Sequence, residues 1–260
     1  KFFNSFKMRL IFSITIIILF TFNITAREIG ETEITTEDGI EVFQDEKYYL
    51  LKKNVNILSD NFNLNANDVK IYFDKSLYDI TELNAKGEVN FVSSKFGLNS
   101  KSQSLKFEVK NEKLRVDGKN SELITKDIEM YSDGFIEVNN LNGKFKLEGI
   151  NSKLINEDIF IKAEKIEGIF SNIGDEREIT FLNVIDKKVS YVKNNNAEMY
   201  AKKINFDNKT SIIELIDNVI INRNGEKITG DYGTLDTKNN SYKIKSNKDT
   251  KVKVIIQNNE

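Results

Sequence analysis

Apolar residues along this chain recur at every second position in short bursts, and the bursts themselves repeat. Within residues 55–73 the apolar positions are Val55 and Ile57, then Leu64 and Ala66, then Val69, Ile71 and Phe73. The pattern returns without a gap at Val89, with Phe91, Leu98, Ser100, Leu105 and Phe107, a displacement of 34 residues (89 − 55). A third copy starts at Val219 and runs through Ile221, Ile228, Gly230 and Leu235. A spacing of two places successive side chains on one face of an extended strand, and nothing recurs at the helical period. A repeated β unit of this kind predicts a stacked architecture.

The copies also share a change of parity. Leu64 and Ala66 lie on one face, whereas Val69, Ile71 and Phe73 are offset from them by an odd number of residues. An odd step turns the chain over unless a bend or bulge re-aims it, and Asn67-Asp68 are residue types that tolerate such a corner. The same five-residue step recurs at Leu123-Thr125-Ile128, Ile161-Ala163-Ile166 and Met199-Ala201-Ile204. These corners predict strands folding around a common interior.

No segment after residue 26 carries a helical pattern. Strand-like bursts about 8–12 residues apart, separated by turn signals, point to an all-β sandwich, barrel or jelly roll of about twenty short strands. Between 113 and 170 the punctuation is dense, with Asp117-Gly118, Asp133-Gly134, Asn142-Gly143 and Gly149. Residues 172–178 are expected to form an exposed loop, and 194–196 another. With no break in composition, residues 27–260 are expected to form a single elongated domain. Its last strand, at 251–256, allows two readings: an edge open to strand addition near 34–43 of a next molecule, or an edge whose lysines discourage pairing.

Composition narrows the chemistry. The chain has 260 residues, 30% charged and 39% hydrophobic, and its mean hydropathy of −0.42 excludes a polytopic membrane protein. Histidine, cysteine, proline and tryptophan are absent. The usual zinc sites, histidine-dependent triads and thiol nucleophiles are thereby excluded, and no cofactor or metal is expected. Carboxylate pairs such as Asp231 and Asp236 are the acid/base groups left to an enzyme; both sit in turn contexts, so the expectation is a protein without catalytic activity. Net charge is −2 overall. Residues 1–26 hold Lys1, Lys7 and Arg9 and no acid, which leaves −2 − 3 = −5 on the rest and no general footprint for nucleic acid.

The N-terminus suggests an address. Met8-Arg9 precedes an apolar run at 10–22, then Asn23-Ile24-Thr25-Ala26 before Arg27-Glu28. A basic start, a short apolar run and a small residue at the end describe an export signal over residues 1–26, cleaved after about Ala26. The run is shorter than the roughly 20 residues that span a bilayer. Translation could begin at Met8, and the mature protein is expected to be periplasmic or extracellular.

Three stretches carry a family resemblance. Residues 215–221 (LIDNVII), 224–232 (NGEKITGDY) and Leu235-Asp236 resemble the OstA-like repeat of the lipopolysaccharide-transport proteins. So do 51–57 (LKKNVNI) with Leu64-Asn65-Ala66, and 85–89 (AKGEV) with Leu98. The resemblance covers most of 34–256, fading between 113 and 170. It implies an elongated, open, twisted β-jelly roll of stacked short antiparallel strands. Its interior would hold the acyl chains of lipopolysaccharide, and such units would join end to end, with themselves or with other jelly-roll components, between inner- and outer-membrane complexes. The short apolar run favours the soluble LptA type over the membrane-anchored LptC type; a structural or adhesive surface solenoid is the alternative from the repeats alone.

Each methylene kept out of water is worth about 0.8 kcal/mol, so a groove of apolar side chains would hold a lipid without directional bonds. The candidate lining comprises Ile57, Leu64, Val69, Ile71, Phe73, Phe91, Leu98, Leu105, Phe107, Ile204, Phe206, Val219, Ile221, Ile228 and Leu235. Each of these could equally be an ordinary core residue. The pairs Lys52-Lys53, Lys187-Lys188 and Lys202-Lys203 could meet phosphates at a rim, or simply form a solvated face.

Overall fold

Long bent strands, rather than many short ones, realise the pattern. A computed structural model describes residues 30–256 except 78, 158, 174, 175, 248 and 249, and of 172, 173 and 176 only the backbone. The expected export signal and its cleavage point lie outside the described residues. The strands are β1 (Glu33–Thr35), β2 (Ile40–Phe43), β3 (Tyr48–Leu58), β4 (Asn63–Phe73), β5 (Ile80–Ser93) and β6 (Leu98–Glu108). Four short ones follow: β7 (Lys113–Asp117), β8 (Ser121–Thr125), β9 (Ile128–Ser132) and β10 (Phe135–Asn139). The chain continues with β11 (Lys144–Asn156), β12 (Ile159–Ile173), β13 (Glu176–Lys193), β14 (Glu198–Asp207), β15 (Ile212–Arg223), β16 (Glu226–Asp236), β17 (Ser241–Lys245) and β18 (Lys253–Ile256).

All pairings are antiparallel and form one 18-stranded sheet. Each long strand is a rung that pairs with the rung before it and the rung after it, and most rungs are interrupted once near the middle. Register shifts fall at Lys52/Val55, Asn65/Asp68 and Lys86/Val89 in the N-terminal part. They return at Glu148/Ser152, Lys162/Lys165, Ile185/Ser190, Tyr200/Lys203 and Ile216/Val219. Between them β7 and β8 form one broken rung, each pairing with a different half of β6, and β10 and β9 form another against β11. At the ends β1 and β2 both pair with β3, and β17 and β18 both with β16.

The interruptions fold the sheet into two facing leaves. Leu83 pairs with Phe107, and Phe91 lies eight residues further along the same strand, about 26 Å away if the strand were flat. The rings of Phe91 and Phe107 are nevertheless 5.8 Å apart. The first leaf contains β2, β7, β10 and β17 with one half of every long rung; the second contains β1, β8, β9 and β18 with the other half.

The predicted parity switch thus takes place at the fold line, and it keeps apolar residues inside on both leaves. Leu64, Ala66, Val69, Ile71 and Phe73 are all buried although the step from Ala66 to Val69 is odd. At three corners the chain crosses by two consecutive left-handed residues: Lys53-Asn54 (φ 65° and 51°), Gly87-Glu88 (77° and 50°) and Asp217-Asn218 (64° and 55°). These pairs immediately precede Val55, Val89 and Val219, the leading residues of the three repeats. Gly87 is needed there for a second reason: a Cβ would lie 2.7 Å from the Asn67 amide nitrogen. A displacement of 34 residues is therefore two rungs, one outward and one back.

Small side chains mark the narrow end of the wedge. Ala66, Ser121, Ser132, Ser152, Ala163, Ser190 and Ala201 are buried along the fold line. Where the ladder breaks, serine hydroxyls take up freed carbonyls: Ser190 Oγ donates to Lys202 O at 3.1 Å, Ser132 Oγ to Glu148 O at 3.0 Å and Ser121 Oγ to Gly118 O at 2.7 Å. One predicted corner is different. Leu123-Thr125-Ile128 spans the hairpin between β8 and β9, where Thr125 Oγ1 caps the turn by accepting from Ile128 N; in that stretch the corner falls at Gly118 (φ 120°) instead. The expected loop at 172–178 is also corrected, because Ser171 pairs with Glu178 and Asn172 with Arg177 in a continuation of the β12–β13 hairpin.

Candidate functional site

Opposite the fold line the hairpin turns of the two leaves approach each other along a seam, where the interior is widest and large side chains collect. In the N-terminal part aromatic rings fill it. Phe62 packs on Phe91 at 5.5 Å, and Phe96, from the β5–β6 turn of the second leaf, meets Phe107 of the first edge-on at 6.0 Å. Phe145 and Phe170 stack at 6.1 Å further along.

Polar contacts then tie the leaves together across the seam at two places. The first centres on Arg177. Its Nη2 donates to Phe96 O at 3.3 Å and to Asn140 Oδ1 at 3.0 Å, and its backbone N donates to Asp127 Oδ2 at 3.2 Å. Asp127 and Phe96 belong to turns of the second leaf, Arg177 and Asn140 to the first. The guanidinium also lies over the Phe170 ring at 4.9 Å. Burial pushes the Arg177 pKa down, with the Asp127 carboxylate opposing that shift. Beside it Glu112, on the first leaf, pairs with Lys95 on the second at 3.0 Å and accepts from Asn140 Nδ2 at 2.8 Å. The amide of Asn140 and the Lys95 ammonium hold the Glu112 carboxyl below its ordinary range.

The second tie is near the C-terminal end. Arg223, on the inner face of β15, donates Nη1 to Asn240 O at 3.4 Å in the β16–β17 turn. Tyr242 OH donates to Glu226 Oε2 at 3.1 Å, again from one leaf to the other.

Between the two ties the interior holds a cavity of about 200 Å³. The first leaf contributes Leu182, Val184, Ile204, Phe206 and Ile213, and the second Ile159, Val192 and Met199. Asn194 and Thr237, both in turns, are the polar residues of its lining. Such a lining offers contact without directional bonds, and its chemistry suits hydrocarbon. It contains no titratable side chain, and among the described residues no cluster of His, Cys, Asp or Glu could hold a metal ion.

The candidate lining residues all face the space between the leaves. Ile57, Leu64, Val69, Ile71, Phe73, Phe91, Leu98, Leu105, Phe107, Val219, Ile221, Ile228 and Leu235 lie in the packed core. Of the fifteen, Ile204 and Phe206 reach the cavity. The other lining residues obey the same alternation, but nothing in the alternation tells an inner position with a partner opposite from one without. Arg177 was not singled out by sequence either; as a basic residue in an acidic, polar stretch it reads as solvated.

The three lysine pairs fall at the register shifts after Lys52, around Asp186 and before Lys203. They line the fold line, on the opposite side from the seam, which removes them from the rim of the cavity. Lys52 pairs with Glu41 at 2.7 Å, Lys53 with Glu37 at 3.1 Å and Lys187 with Glu164 at 3.5 Å, all on the surface. Asp231 and Asp236 are partly exposed and engaged locally, Asp231 by Asn247 N at 2.7 Å and Asp236 by Asn239 Nδ2 at 2.7 Å.

The stretch that contains the third copy of the repeat is similar to a known family. Residues 135–241 match the family described as LptA/(LptD N-terminal domain) LPS transport protein. Comparison with curated protein sequences gives no match. Among solved structures, the chain is similar to LptH, the LptA-homologous periplasmic component of the lipopolysaccharide transport device of Pseudomonas aeruginosa, at 9% identity over 88% of this chain and 96% of that one, with a TM-score of 0.23. The family match runs from the first residue of β10 to the first of β17 and takes in every residue of the cavity lining. The part of the chain that holds the cavity is thus the part that is similar to the LptA/(LptD N-terminal domain) LPS transport family.

Proposed function

We propose that this protein is a non-catalytic lipid carrier that holds acyl chains of lipopolysaccharide between its two leaves while the saccharide stays outside. The observation that carries the reading is the apolar cavity at the seam, bounded by the Arg177 and Arg223 ties. A chain entering there loses contact with water without requiring any polar group to be buried, so binding is favourable and tolerant of sliding. The family match over the same residues supports lipopolysaccharide as the source of those chains.

In this reading residues 27–260 act as one unit in the periplasm, after removal of residues 1–26, and pass lipid from the inner towards the outer membrane. End-to-end contacts with neighbouring jelly-roll components, or with a second copy, would use the terminal strands. Both ends support this: Ile40 and Val42 of β2 are about half exposed, as are Val254 and Ile256 of β18. An exposed apolar edge is a ready site for strand addition.

The test is a photo-crosslinking residue placed at Ile159 or Leu182, with Lys110 as the surface control, in protein incubated with lipopolysaccharide. Adducts at the two inner positions are expected. Labelling at Lys110 alone would overturn the proposal.

A further inference from the structure

The outer face of the first leaf carries a second groove, of about 590 Å³, across β13, β14 and β15. Its lining is unlike that of the inner cavity: Phe181, Asn183, Lys203, Asn205, Asp207 and Glu214 among others. Cross-strand register sets three of them in a row, Asn183 opposite Asn205 and Asn205 opposite Glu214, with Phe181 opposite Asp207 beside that row. Phe181 is 40% exposed, a large aromatic presented to water beside amides and carboxylates.

We infer that this groove binds a saccharide, with a sugar ring lying on Phe181 and its hydroxyls on the Asn183-Asn205-Glu214 row. Three observations converge. An exposed aromatic flanked by planar polar groups matches the two-sided chemistry of a sugar, whose C–H face is apolar and whose edge is a ring of hydroxyls. Both signs of charge occur in the lining, and Asp207 and Glu214 disfavour an anion, while the row of amides disfavours a hydrocarbon tail. The acceptor Asn183 Oδ1 is buried and has no hydrogen-bond partner, although its Nδ2 donates to Glu167 at 3.3 Å. A ligand hydroxyl would satisfy that oxygen. Asn205 and Glu214 are held in place, the first donating to the second at 3.4 Å and Tyr232 OH donating to Glu214 at 3.2 Å.

Position links the groove to the lipid reading, on which this inference rests for its source of sugar. Phe206 lines both spaces, the inner cavity and the outer groove. A glycolipid could keep its chains between the leaves and lay its first sugars over this edge.

The experiment titrates the full chain with two separate probes: the lipid-free oligosaccharide released from lipopolysaccharide by mild acid, and a medium-chain fatty acid. The oligosaccharide is expected to bind the unaltered protein and to bind Phe181→Ala and Asn205→Ala about tenfold more weakly. Phe181→Tyr, which keeps the ring, is expected to retain binding, and fatty-acid affinity should be the same in Phe181→Ala as in the unaltered protein. Fatty-acid binding without oligosaccharide binding would overturn the saccharide site and leave the carrier reading standing. Oligosaccharide binding that depends on Phe181, without fatty-acid binding, would do the reverse. Oligosaccharide affinity untouched by both alanine variants would also overturn this site.

Discussion

Filling the inner cavity is the sharpest test of the carrier reading, and Val192→Phe is the substitution of choice. Val192 lies on the inner face of β13, opposite Met199, and lines the cavity at the seam. A volume of about 200 Å³ accommodates roughly seven methylenes if each takes about 30 Å³, the share of a water molecule. At about 0.8 kcal/mol per methylene, complete filling by a lipid is worth about 5–6 kcal/mol. Phenylalanine carries four more carbons than valine and would occupy the space of about four methylenes. The expected loss is about 3 kcal/mol, or roughly a hundredfold in affinity. The assay is displacement of a fluorescent fatty acid, with urea unfolding alongside to check the fold. Because the added atoms enter an existing void, stability should fall by less than the roughly 1–3 kcal/mol typical of overpacking a filled core. A variant that folds normally and binds within about threefold of the parent would show that this cavity is not where the chain sits.

Other substitutions probe the scaffold. Arg177→Met keeps the stem but removes the bonds to Phe96 O and Asn140, and is expected to lower unfolding free energy by about 1.5–3 kcal/mol, the range for hydrogen bonds to charged groups; an unchanged urea midpoint would refute the tie. Asn218→Val places a β-branched residue at a φ of 55° and should cost about 1–2 kcal/mol, visible as a lower melting temperature. Ala201→Leu, at the narrow end of the wedge, should destabilise by about 1–3 kcal/mol, read as a lower urea midpoint. For Glu112 the folded pKa is depressed by Asn140 and Lys95, so its contribution is present above its unfolded pKa and is lost as pH falls through the folded value. The stability gap between the parent and Glu112→Gln is therefore expected at neutral pH and should close in acid; a gap that persists there would refute that assignment.

Alternation, the odd step at each corner and the 34-residue displacement were enough to establish strands, an inward face and a stacked arrangement, because the period of two and its phase shift are local properties of the backbone. The same signals misplaced the corner near Leu123, since a hairpin turn and a fold-line bend both change parity. They also assigned 172–178 to a loop, because Arg177 looks solvated until its partners across the seam, Phe96 O and Asn140, are known. Which inner positions face a partner and which face a void was decided by tertiary structure alone. Ile71 and Ile204 carry the same side chain at the same phase of a bent strand and both are buried in the core, yet Ile204 lines the cavity and Ile71 does not. The difference comes from what stands across the wedge: aromatic side chains from Phe62 to Phe107 close the N-terminal part, whereas Val192 and Met199 are too short to reach across the C-terminal one. Contacts between residues distant in sequence set that gap, and no periodicity along a single strand encodes them.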